Sequence, residues 1–462
     1  MKNIPRFAVV GHPNKGKSSI VSALAQDDSV QVSDTPGTTK RRKVYPLKVD
    51  GEIIYELIDT PGFQRARRVL AYINHNQQYA HRRFERILEF IKEYKNDPKF
   101  RDEIELLEPI VDGAGIIYVV DGSKPYGTEY EAEMEILRFT AMPSMALINI
   151  IGDEDYSKEW KQALNQYFKM VKTYNPLKAK FDDNIELLEA VSYLNEDWTK
   201  QIKNSIEILK NDHRKKIDYT AYLIASNIVE SLSYVEKIEI KSDKVSDDKK
   251  EQLEKKYKNS IASFEANTQK KINSLWNHNR LQIVQNNLDI LDTDLFSKQS
   301  QSLFGLSKQT MILTAVASGG VSGAAFDMLV GGSSLMMGSV IGATIGAASA
   351  FFAYDKLAEI TILGQKLSTK ELVIGPMKNI NFPYILLGRS LLYAKVIINR
   401  SHAMREEENL KDKINIAEEY IDLQTRKSLE KLHVKFREED EISQEDIENY
   451  SKLLIKLLKK IL

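Results

Sequence analysis

The sequence predicts a mostly parallel α/β domain followed by an all-α region that contains a glycine-rich hydrophobic helical hairpin. Three observations carry this expectation. Short apolar runs at 7–10, 53–58, 116–120 and 146–151 alternate with helix-patterned stretches, as parallel strands joined by helices do. Beyond Pro176 the strand signals thin out, and long amphipathic patterns with Glu/Lys-rich faces take over. Between Lys308 and Asp355 the only charged residue is Asp327, and glycine, alanine, serine and methionine dominate.

A chain of 462 residues is too long for one ordinary core. The composition shifts divide it into an α/β domain over 1–178 with a helical insertion at about 64–111, a helical domain over 179–307, the hydrophobic hairpin over 308–356, and a mixed and helical region over 357–462. Hydrophobic residues make up 42% and charged residues 28%, a globular balance. Sixty-five basic residues offset 65 acidic ones, which argues against nucleic-acid binding through bulk charge. The absence of cysteine excludes disulfides, thiolate metal sites and thiol catalysis. No secretory signal is expected, because MKNIPRFAVVGHPN lacks a long apolar stretch ending in small residues.

The first strand, Phe7–Val10, runs directly into Gly11-His12-Pro13-Asn14-Lys15-Gly16-Lys17-Ser18, an ungapped G-x-x-x-x-G-K-[ST] between a strand and a helix-forming run. Glycines there let successive N–H groups converge on phosphates, aided by the positive end of the following helix. Lys17 is expected to bridge the β- and γ-phosphates, and Ser18 to ligate Mg²⁺. A polar loop, Asp34-Thr35-Pro36-Gly37-Thr38-Thr39, is suited to closing over the γ-phosphate. Next comes a hairpin turning at Asp50-Gly51, a dipeptide that favours the type I′ turn. Its second strand ends in Asp59-Thr60-Pro61-Gly62. Asp59 is expected to hold Mg²⁺ through water, and Gly62 to offer its N–H to the γ-phosphate. Helix-patterned, highly charged sequence fills 66–110, a helix is expected at Tyr130–Phe139, and a last strand near Phe168–Lys172.

GHPNKGKSS (ending at Ser18 and Ser19), PGTTKRRK and DTPG together resemble the first three motifs of Era/TrmE-type, translation-factor-like GTPases. The resemblance implies a Ras-like P-loop fold that binds GTP and GDP with Mg²⁺ and hydrolyses GTP. It makes Thr39 the switch threonine on Mg²⁺ and matches Asn14 to the asparagine that coordinates K⁺ in potassium-activated members. Phe63 stands where Ras-like proteins place a water-orienting glutamine, so slow hydrolysis is expected until K⁺, a second G domain in a homodimer, or a partner assists. The fourth motif departs from Asn-Lys-x-Asp: Asn149-Ile150-Ile151-Gly152-Asp153 brings its carboxylate one position late. Asp153 or Asp155 is expected to read guanine through a bulged loop, and Thr173-Tyr174-Asn175 marks the fifth motif by position alone.

The uncharged runs 309–326 and 328–354 would reach about 27 and about 40 Å as helices, against a hydrocarbon core of ~30 Å. Glycines at 319, 323, 331, 338, 342 and 346 include spacings of four that let helices approach closely. Length favours a membrane hairpin; the glycine, alanine and serine content suits a tightly packed core hairpin. Lys308, Lys356 and Lys366 flank it on both sides, as for a hairpin with both ends cytoplasmic. FGLSKQ, the glycine-rich run, IGPMKNINFPYILLGRS and NRSHAMR are similar to a bacterial group in which an Era-like G domain is fused to a domain of uncharacterised function. The expectation is a cytoplasmic GTP switch, associated with or inserted in the inner membrane through lipid contacts, that controls its helical C-terminal domain. Its rivals are a soluble Era-like factor for RNA or ribosome assembly, and a membrane-active effector regulated by GTP. Lys40–Lys43 reads as a solvated loop edge, Arg65, Arg67 and Arg68 as candidate phosphate contacts, and His402 as a structural or surface residue.

Overall fold

The computed structural model describes residues 4–27, 30, 41–75, 79–240, 246–278, 294–318, 354–362, 365–404, 415–439 and 441–462. They form two compact units, the first comprising Met1–Arg214 with Asn277–Arg280 and Asn399–Glu406, the second the remainder.

In the first unit, β1 (Arg6–Val10) leads through the glycine loop into α1 (Lys17–Ala25), and the hairpin β2 (Lys43–Val49) and β3 (Glu52–Asp59) follows. Asp50 and Gly51 turn it at φ 50 and 83, the double positive φ of the expected turn. The insertion folds as α2 (Ala66–Asn74), α3 (Arg83–Tyr94) and α4 (Arg101–Val111). Then come β4 (Gly115–Asp121), α5 (Glu131–Phe139), β5 (Ser144–Asn149), α6 (Ser157–Leu164), β6 (Val171–Thr173) and α7 (Phe181–Ser192). The sheet runs β2-β3-β1-β4-β5-β6, antiparallel only at β2–β3. One face packs Val69, Phe90, Leu107, Ile136 and Trp160 from α2–α6. The other packs Ile20 and Leu24 of α1, then Ile185, Leu188, Ile202 and Ile206. The core of this unit thus extends past 178 into α7 and the first half of α8 (Glu196–Ser233).

Two strand limits differ from expectation. β5 stops at Asn149, since β6 pairs only with 146–148 and the Asn149 carbonyl accepts from Gly122 N–H at 2.7 Å. The last strand starts at Val171, because Phe168 is buried in the helical face instead.

The second unit is largely helical, as expected. It contains α8 from Lys215, then β7 (Glu236–Ile240), α9 (Asp247–Leu275), α10 (Lys298–Phe304) and α11 (Lys308–Ser318). After these come β8 (Tyr354–Ile362), β9 (Gln365–Ile374), α12 (Phe382–Asn399), α13 (Ile416–Glu419), α14 (Leu423–Glu438) and α15 (Gln444–Ile461). A small antiparallel sheet, β7-β9-β8, is the departure from an all-α region. Its Glu-Lys-Ile-Glu-Ile strand alternates with period two inside a span that otherwise reads as helix. Helix α12 is buried at nearly every position, as expected of a helix apolar all round. α11 supplies the first turns of the hydrophobic segment; the remainder of the expected hairpin, 319–353, lies outside the described residues. Among the described residues no helix is long and apolar enough to cross a membrane.

Candidate nucleotide site

The loop between β1 and α1 takes the backbone that its sequence demands. Asn14 has φ 61 and Gly16 φ 82, the left-handed region open to glycine and tolerated by asparagine. A Cβ on Gly16 would fall 2.2 Å from Asn149 Nδ2. At Gly62 it would fall 2.5 Å from Pro13 N. The end of DTPG and the phosphate loop are therefore packed backbone against backbone, and only glycine permits that approach.

Four of the expected groups converge here. Ser18 Oγ donates to Asp59 Oδ2 at 2.8 Å, and Asp59 is buried. Lys17 donates to the carbonyls of Gly11 at 3.2 Å and His12 at 3.0 Å. Burial lowers its pKa to about 8, against the opposing pull of Asp59 and Glu133. Asn149 Nδ2 donates to the Lys15 carbonyl at 3.2 Å, fastening the base-side loop to the phosphate loop. The hydroxyl of Ser18 beside a buried carboxylate is a hard-oxygen pair of the kind Mg²⁺ selects, so these residues fit that ion.

Several side chains take roles that the sequence did not announce. His12 Nδ1 lies 2.8 Å from Glu133 Oε1, and Tyr118 donates to the other oxygen of Glu133 at 2.9 Å. The His12 ring, read from sequence as secondary to its backbone, thereby ties the phosphate loop to α5. Lys15 is buried, 3.7 Å from Asp121 Oδ2 and 5.7 Å from the centre of the Tyr130 ring, a cation–π arrangement. Asn14 is exposed, whereas Ser19 is buried on α1. Phe63 is core. Arg65 donates to the Lys99 carbonyl at 2.8 Å, while Arg67 and Arg68 are exposed. Arg42, expected to be solvated, pairs with Glu108 at 2.7 Å. Thr39 and the loop around it lie outside the described residues.

On the base side, Asp155 accepts from the Ser157 N–H at 2.8 Å at the start of α6, and the hydrogen bonds from Ser157 hold its pKa low. Asp153 is exposed on the loop that precedes α6. Asn175 Nδ2 reaches the Ile150 carbonyl at 3.4 Å, so the fifth-motif loop does join the fourth. His402, from the C-terminal half, also belongs to this unit: its carbonyl accepts from Ser22 Oγ of α1 at 2.8 Å, and its ring stacks on His278 at 4.2 Å. Ser401 Oγ donates to the Pro176 carbonyl.

Residues 6–149 match the family described as "50S ribosome-binding GTPase", and residues 161–458 match "Domain of unknown function (DUF3482)". GTPase Der of Mycoplasma pneumoniae is 27% identical over 208 residues, 44% of this chain and 40% of that protein. GTPase Der of Agathobacter rectalis is 46% identical over 65 residues, 14% of each. This chain thus spans less than half the length of these curated relatives. A crystal structure of a variant of Era from Aquifex aeolicus bound to GDP and AlF4⁻ aligns at 18% identity, covering 42% of this chain and 57% of that one, with a TM-score of 0.28.

Proposed function

We propose that this chain, which belongs to the DUF3482 family and carries an N-terminal GTPase domain of the Der/Era-like kind, is a GTP-hydrolysing switch whose nucleotide state controls its C-terminal domain. The observation that carries the switch reading is the placement of 399–404. This C-terminal segment folds with the first unit, on α1 and on the loop that follows β6.

In this reading Lys17 bridges the β- and γ-phosphates, and the Gly62 N–H meets the γ-phosphate as water attacks it in line. Ser18 and Asp59, with Thr39, would hold Mg²⁺, which supplies screening of the phosphate charge. Asn149 steadies the loops, and Asp153 reads the two guanine N–H positions, a requirement that adenine cannot meet. Phe63 cannot orient water, so turnover by the isolated chain is slow. Asn14, exposed on the glycine loop, would take K⁺.

Titration with fluorescent GTP, GDP and ATP, beside turnover in KCl and in NaCl, tests this. Guanine-selective binding abolished by Lys17→Ala, with faster turnover in KCl, supports it. Binding that ignores Lys17→Ala, or equal affinity for ATP, overturns it. We further propose that 309–354 engages the inner membrane, on the strength of its length without charge. Exposed Leu313 and Val316 on α11 present apolar surface at its start. Carbonate-washed membranes should retain the full chain and release a variant lacking 309–354 that still binds nucleotide. A fully soluble full chain, with a deletion that fails to fold, makes the segment core.

A further inference from the structure

Helix α4, part of the insertion, holds both the chain just after Gly62 and the Arg42 that precedes β2. Glu103 in its first turn is fully buried. Its Oε1 accepts from the N–H of Gln64 at 2.9 Å and of Arg65 at 2.5 Å, the second and third residues after Gly62. Farther along the helix, Glu105 Oε2 accepts from the Arg42 N–H at 3.1 Å. Glu108 Oε2 accepts from Arg42 Nη1 at 2.7 Å. Arg42 lies three residues after Thr39. One helix thus holds, through three carboxylates, the chain leaving each of the two γ-phosphate loops.

A buried carboxylate that merely stapled a turn would be expected to use both oxygens, since an unmet buried acceptor costs free energy. Glu103 Oε2 is buried and has no hydrogen-bond partner among the described residues. Arg65, the N-cap of α2, has no side-chain cap bond, so Glu103, together with the Arg65–Lys99 bond, holds the chain as it leaves Gly62.

Resting on the reading of this site as one that hydrolyses GTP, we infer that α4 is a clamp joining the segment after Gly62 to Arg42 at the entry to β2, with Glu103 the positioning residue that aims the Gly62 N–H. Glu105 and Glu108 hold Arg42 at the other end of the clamp. Because its three carboxylates bond neither the glycine loop nor the base-side loop, the clamp acts first on the γ-phosphate response and much less on diphosphate affinity. A misplacement of about 1 Å at a reacting centre costs up to about 100-fold in rate.

The test uses the full chain with Glu103→Gln and Glu108→Gln. GDP affinity should stay within about twofold of wild type, while GTP turnover falls 10- to 100-fold. Amide exchange at 62–74 should quicken in Glu103→Gln with GTP bound, and hardly change with GDP bound. If wild type itself neither binds nor hydrolyses GTP, the reading of the site has failed, and the clamp falls with it. If wild type turns over and both variants match it, or if GDP affinity and turnover fall together, the clamp alone is overturned. Should Glu103→Gln not fold, Glu108→Gln on the half-exposed face decides: unchanged turnover overturns the proposal.

Discussion

Lys17 carries two demands that pull against each other. In its proposed role it grips phosphate from a buried position, and burial lowers its pKa to about 8. Bound phosphate favours the charged form, so above pH 8 nucleotide binding has to recruit a proton that the free protein has lost. Affinity for GDP should therefore fall about tenfold between pH 7 and pH 9; Kd values from a fluorescent analogue across that range check it. A flat profile would mean that Lys17 remains charged in the free protein. His433 offers the opposite case. It is fully buried, with Nε2 2.8 Å from Tyr450 Oη, and burial lowers its pKa against the pull of Glu430. Burial alone would raise the Glu430 carboxyl, but His433 and Arg437 outweigh it and hold it low. A histidine depressed in the folded state leaves the unfolded chain to bind protons first. Stability is therefore lost as pH falls through the unfolded value of about 6.5, and Glu430 adds to the loss below about 4.5. Urea midpoints should drop from pH 7.5 to pH 5.5, and His433→Gln should flatten part of that slope.

At the scale of elements, α11 is held at its start by one carboxylate from α13. Glu418 accepts from Ser307 N–H at 3.0 Å, from Ser307 Oγ at 2.9 Å and from Thr310 Oγ1. Burial would raise its pKa, yet these bonds keep it low. Asn381 adds a second tie, accepting from Leu306 N–H at 2.7 Å and donating to its carbonyl at 3.3 Å. FGLSKQ and INFPYILLGRS thus meet at the base of the hydrophobic segment. Glu418→Ala should loosen α11 by about 1–3 kcal/mol, read as faster amide exchange over 308–318 with little change at α12. Unchanged exchange would make Asn381 the sufficient tie. None of this was legible in the sequence, because each partner lies 75 or more residues away. The phosphate loop was legible because its chemistry is contiguous: Gly11 to Ser18 sit between a strand and a helix. Glu103 and Glu133 were not, for they read as two more acidic residues on charged helices. β7 was missed for a related reason, since five alternating residues are outvoted by the long helices on either side.

Across the whole chain, two tails that follow helices of the second unit fold with the first. Helices α9 and α12 are fastened by a bidentate pair, with Arg389 Nε 2.8 Å from Glu265 Oε1 and Nη2 3.0 Å from Oε2. The Tyr393 hydroxyl donates to Asn273 at 2.8 Å. Each helix ends in a segment that folds with the first unit, and the two segments meet where His278 stacks on His402. Two helices locked together cannot release one tail without straining the other, so the pair responds as one element. Ser22 ties it to α1, which the phosphate loop feeds directly, and Pro176 ties it to the loop whose Asn175 reaches Ile150. Coupling between sites is reciprocal: a tail that steadies these loops must itself be steadied by nucleotide. Ala403 is fully buried in the docked tail, so Ala403→Leu should dislodge it. GDP release should then quicken several-fold with the far-ultraviolet signature unchanged. In the wild type, GDP should slow amide exchange at 399–404 by a matching factor. If release is unaltered and exchange at the tail ignores nucleotide, the tails only pack.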